Sequence, residues 1–68
     1  MTMCLSDAYE LVGGERKPLM NYVSAISVED GVVTLTDMLG ARKLVPGTLK
    51  SVDLTSNVIL IEPRESAQ

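Results

Sequence analysis

Apolar and polar positions along this chain do not recur with a helical period. They alternate, or run together, in short segments rich in Val, Ile, Leu and Thr. Turn-forming residues separate those segments: Gly13-Gly14, Glu29-Asp30-Gly31, Leu39-Gly40, Pro46-Gly47 and Ser56-Asn57. Short strands broken every 8–12 residues or so predict an all-β barrel or sandwich. No window joins a 3.6-residue apolar stripe to helix-capping residues.

The segments predict about six to seven short strands. The first covers residues 3–12 and closes on Gly13-Gly14; the second covers 16–20, with Pro18 marking an edge or a strand start. The third covers 22–28 and turns at Asp30-Gly31, a pair that tolerates the positive φ of a tight hairpin. Residues 32–36 return across it. Asp37-Met38-Leu39-Gly40 forms the next turn, 41–45 follow, and Pro46-Gly47 is expected to break the sheet. Residues 48–54 and 58–61 complete the set, so residues 1–62 are expected to form one small domain, with 63–68 a polar tail that frays. Val33 and Leu35 share a face, as do Val52 and Leu54, and Val58 and Leu60. Val58-Ile59-Leu60-Ile61 is apolar on both faces, which predicts cover on both sides, the outer one by a second copy of the chain.

Length strengthens that expectation. A chain of 68 residues buries only roughly 60% of the surface its unfolded form exposes. Its core is expected to supply about 3–5 kcal/mol, so a staple or a partner subunit is needed. Histidine is absent and Cys4 is the one cysteine. Those counts exclude Ser-His-Asp and Cys-His catalysis, zinc fingers, histidine cages and an intramolecular disulfide. Nine Asp and Glu against six Lys and Arg give a net charge of −3, a poor start for binding phosphate backbones. No apolar run approaches the roughly 18–20 residues that span a bilayer. The first residues carry neither a basic region nor an apolar stretch of signal-peptide length. A lone thiol suits a reducing compartment, and the expected location is the cytoplasm.

Cys4 carries the most chemistry. A free cysteine is often a small buried hydrophobe, but this one lies ahead of where a core would begin. A thiolate is a soft ligand for Zn, Cu(I), Ni or Fe–S and needs further donors. Two routes supply them. A two-fold dimer can bring two copies of Cys4 together. Alternatively, the chain's amine and deprotonated backbone amides can add nitrogen to the sulfur, a set that favours planar Ni(II) or Cu(II) over zinc. With Met1 removed, Thr2 offers the amine, Met3 and Cys4 offer amides, and Cys4 offers sulfur. With a start at Met3, one coordination position stays open for a second chain. Met3 also carries the one thioether placed to shield or assist a metal at Cys4.

The remaining charges offer less. Arg16-Lys17, Arg42-Lys43 and Lys50 sit near strand ends, as a solvated rim would. Small barrels that bind RNA commonly stack bases on aromatics, and the aromatics here are Tyr9 and Tyr22. No pair of carboxylates is spaced for general acid–base work, and no Gly-rich loop precedes a helix to hold phosphate. Catalysis by this chain is not expected.

Met3-Cys4-Leu5-Ser6-Asp7-Ala8-Tyr9 at the front, and VVTLTDMLGARKLVPGTLKSVDLTSNVILIE over residues 32–62, together carry a family resemblance. The chain resembles the CooT family, small nickel-binding accessory proteins linked to maturation of carbon monoxide dehydrogenase. The resemblance implies a cytoplasmic homodimer of small SH3-like β-barrels that is not an enzyme. It also implies Ni(II) held at the dimer interface through the cysteine beside the initiator methionine, here Cys4. Met3 and Thr2 would be its backbone or amine donors, and a nickel enzyme its client. In the family the cysteine directly follows the first methionine, whereas here Met1-Thr2 precede Met3-Cys4. Some relatives carry a label of RNA binding, so the alternative reading is a small RNA-binding barrel using Arg42, Lys43 and Lys50.

Overall fold

The computed structural model describes residues 5–64. Five strands make up the fold: β1 (Ser6–Val12), β2 (Glu15–Glu29), β3 (Val32–Asp37), β4 (Arg42–Asp53) and β5 (Val58–Pro63). They follow one another around a closed barrel in chain order. Neighbours pair antiparallel, and β1 closes the ring against β5 in parallel. Among the described residues there is no helix long and apolar enough to cross a membrane.

The count of five corrects the expected six to seven, and the reason is physical. Residues 16–20 and 22–28 belong to one bent strand, as do 41–45 and 48–54. β2 pairs with β1 through its first half and with β3 through its second, and Val23 takes part in both ladders. The corner lies at Tyr22, whose φ is 58°, with register shifts on either side of it. β4 likewise pairs with β3 up to Pro46 and with β5 from Gly47 onward. A long strand in a small barrel must bend to change neighbours, and bulges and glycines supply the bend. Signals that read as strand ends are therefore corners.

Gly47 is tied to its corner by space. A Cβ placed there would collide with the Glu62 carbonyl oxygen and lie 2.8 Å from the Pro63 Cα. Around this contact the Gly47 N–H donates to the Gly31 carbonyl and the Arg64 N–H to the Pro46 carbonyl, both at 2.9 Å. The Asp30-Gly31 hairpin forms as its sequence predicts, with φ of 52° and 75°, the both-positive geometry of a two-residue turn.

Alternation places the core. Ala8, Val23, Val33, Leu35, Val45, Ile59 and Ile61 are buried, with Leu19, Met20, Ile26 and Leu49 packed against them. Val33 and Leu35 point inward together, as their spacing requires. In β5, Ile59 and Ile61 fill the interior, while Val58 and Leu60 are half-buried. Leu60 is paired with Tyr9, also half-buried, in the parallel ladder. Val52 and Leu54 depart from a core role: they are 40% and 78% exposed.

Candidate functional site

Cys4, Met3 and Thr2 lie outside the described residues, so the surroundings of the point where the chain reaches Leu5 define what can be said of their site. β1 starts at Ser6, which is buried, across from Val23. The Asp7 N–H donates to the Asn57 carbonyl at 3.0 Å. Asn57 adopts φ 59° as the last residue before β5, a left-handed position that asparagine accepts better than most side chains. Its side-chain Oδ1 is buried and has no hydrogen-bond partner among the described residues.

The turn ahead of Asn57 is held by Asp53, whose Oδ1 accepts the N–H groups of Thr55 at 2.9 Å and Ser56 at 3.1 Å. Hydrogen bonds from Ser56, its backbone first, and then from Thr55 hold the Asp53 carboxyl below its ordinary value. Asp37 anchors the β3–β4 turn in the same way, accepting the N–H groups of Leu39 and Ala41 at 2.9 Å. Both aspartates serve the backbone.

Beside the start of β1 lies a groove of about 210 Å³ lined by Ser6, Val23–Ile26, Val52, Leu54 and Ile59. The exposed Val52 and Leu54 have their place here. Neither they nor Asn57 stood out as site residues in the sequence, where 52 and 54 read as a strand face and 57 as a turn. The positive-φ tolerance of Asn57 was the one signal available.

Among the described residues no three Cys, Asp or Glu side chains converge to hold a metal ion. The basic residues are divided. Arg42 and Lys43 sit in the half of β4 paired with β3, and Lys50 lies at the register shift in the half paired with β5. Lys43 turns back to donate from Nζ to the Leu19 carbonyl at 3.3 Å. Tyr9 pairs across to Pro18 and Leu60, while Tyr22 occupies the β2 corner. The aromatics thus stand at separate ladder positions.

A five-stranded closed barrel with a groove beside its first strand defines a small all-β protein. Residues 3–62 match the family described as "CO dehydrogenase accessory protein CooT", and the chain belongs to that family. The barrel is similar to a crystal structure assigned to CooT from Carboxydothermus hydrogenoformans, with TM-score 0.82 and 21% identity, over 91% of this chain and 100% of that one. At that identity the likeness speaks for the fold. No curated protein matches the chain.

Proposed function

We propose that this protein is a Ni(II)-binding accessory protein in the maturation of carbon monoxide dehydrogenase, a nickel enzyme, and that nickel is its cargo. Family membership over residues 3–62 carries the reading, because the matched span includes Met3 and Cys4. The donor chemistry fits. With no histidine in the chain, the available set is the Cys4 thiolate with amine or amide nitrogen from Thr2 and Met3, and thiolate plus nitrogen donors suit Ni(II). The protein acts as a cytoplasmic homodimer. A second copy supplies the cover that a small barrel and the outer face of β5 call for, and it offers the second Cys4 that one chain lacks.

Titration with NiCl₂, of the native chain and of Cys4→Ala, tests the reading, with the intact mass recorded to define the chain's start. The native chain is expected to bind nickel at least tenfold more tightly than the variant. Binding should strengthen as pH rises, because thiol, amine and amide must all lose protons. Nickel at 100 times its Kd should stabilise the fold by about 2.7 kcal/mol. Equal affinity in both proteins would overturn the proposal.

A further inference from the structure

The β3–β4 turn is fastened to the β2 corner: the Met38 N–H donates to the Tyr22 carbonyl at 3.0 Å. Three large apolar residues stand in solvent at that junction, Tyr22 at 59% exposure, Met38 at 53% and Leu39 at 87%. Single exposed apolar residues are ordinary, but three at one point mark a binding surface. Their backbone is held firmly. Asp37 Oδ1 accepts the Leu39 and Ala41 N–H groups, both at 2.9 Å. The Gly40 N–H donates to the Asp37 carbonyl at 3.0 Å, and Ser24 Oγ donates to the same carbonyl at 3.1 Å from β2. Tyr22 holds φ 58°, and residues kept in such costly conformations cluster at ligand clamps and active sites. A turn bonded this well keeps Met38 and Leu39 in place before any partner arrives, which lowers the entropy lost on docking.

The charges around this end of the barrel have one sign where they reach solvent. Arg42 and Lys43, which follow the turn, are both exposed. Lys43 Nζ donates to the Leu19 carbonyl at 3.3 Å, which sets its charge beside the first half of β2, where Lys17 is also exposed. The carboxylates here are half-buried: Asp37, engaged by its turn, and Asp7, between the Ser6–Val23 and Ala8–Met20 pairs. At the other end of β3 the exposed charges beside its hairpin are Glu29 and Asp30. An apolar knob with a basic border, on a chain of net charge −3, fits a partner that brings carboxylates around an apolar pocket. We propose that Tyr22, Met38 and Leu39, bordered by Arg42 and Lys43, form the docking surface for an acidic protein surface of this kind on the client enzyme. The inference rests on the client reading above and gives it a place on the barrel. Met38 and Leu39 offer no ring on which a base could stack, which favours protein over RNA.

Binding of the metal-free chain to nickel-free carbon monoxide dehydrogenase, measured by calorimetry, tests the proposal. Leu39→Ser and Arg42→Glu should each weaken binding about tenfold or more, the range of an interface hot spot. Tyr22→Asn should weaken it as well while the melting temperature holds or rises, because asparagine accepts the positive φ better. Val28→Ser, at a residue 54% exposed at the other end of β3, should leave binding unchanged. Native binding should also weaken with rising salt. No binding by the native chain, or equal binding by native, Leu39→Ser and Arg42→Glu proteins of unchanged melting temperature, would overturn the proposal. So would finding that the same substitutions dissociate a homodimer, or abolish binding to single-stranded RNA or phosphatidylserine vesicles, while enzyme binding persists. The nickel titration uses the chain alone, so a failure of docking leaves that result untouched, and equal nickel affinity of the native chain and Cys4→Ala leaves the docking surface standing.

Discussion

Replacing Gly47 with alanine should break the barrel at the point where β4 changes partners. The added methyl group meets backbone, not a side chain that could turn aside: the Glu62 carbonyl oxygen, the Pro63 Cα at 2.8 Å and the Arg64 nitrogen at 3.0 Å. Relief requires β5 to move away from β4. That movement strains the Arg64-to-Pro46 and Gly47-to-Gly31 hydrogen bonds, both at 2.9 Å. Overpacking of this kind costs about 1–3 kcal/mol, and each backbone bond lost adds about 0.5–1.5 kcal/mol. Alanine restricts the unfolded chain, which returns roughly 0.4–1 kcal/mol. The net is a loss of about 2–4 kcal/mol. In a domain whose core supplies about 3–5 kcal/mol, that removes most of the stability. Thermal unfolding followed by circular dichroism should show Tm lowered by at least about 8–16 °C, since 1 kcal/mol moves a domain of this size by about 4–8 °C. Thr48→Ala, at the exposed neighbouring position, should cost about 1 kcal/mol or less. A Gly47→Ala protein that melts within 2–3 °C of the native chain would refute the close-approach reasoning.

Three further outcomes follow from the turns and corners. Tyr22 is 59% exposed and holds φ 58°, a conformation that costs an L-residue about 1–2 kcal/mol; Tyr22→Asn should match or exceed the native Tm, and Tyr22→Val should fall below it. Asp37→Ala removes the acceptor for the Leu39 and Ala41 N–H groups and should lower stability by about 1 kcal/mol in urea unfolding. The Asp53 carboxyl is held below its ordinary value by the Ser56 and Thr55 hydrogen bonds. Its stabilisation is therefore complete above the ordinary carboxylate range and is lost as pH falls through its lowered folded value. A pH series of melting curves should accordingly show a shallower acid limb for Asp53→Asn than for the native chain.

What could be read from the sequence, and what could not, divides along physical lines. Turn chemistry is local, so Asp30-Gly31 and the alternation of Val33 and Leu35 announced a hairpin and an inward face that the barrel contains. Strand continuity is not local. Pro46-Gly47 and the region around Tyr22 have the composition of breaks, and only the identity of the neighbouring strands reveals them as corners within β4 and β2. Val52 and Leu54 misled in the opposite sense, since a period-two apolar pair implies a core face whether or not anything covers it.

The site divides differently. The donor atoms proposed for nickel come from elimination, because a chain with one cysteine and no histidine has few ways to hold a metal. Among the described residues, β2 continues past the last β1 pair beside an apolar groove, and Asn57 offers a buried acceptor near the start of β1. A metal site built mostly from backbone nitrogen needs its backbone held still, since ordering each residue costs about 1–2 kcal/mol of conformational entropy that binding must otherwise supply. A strand edge meets that cost through ladder hydrogen bonds before any metal arrives.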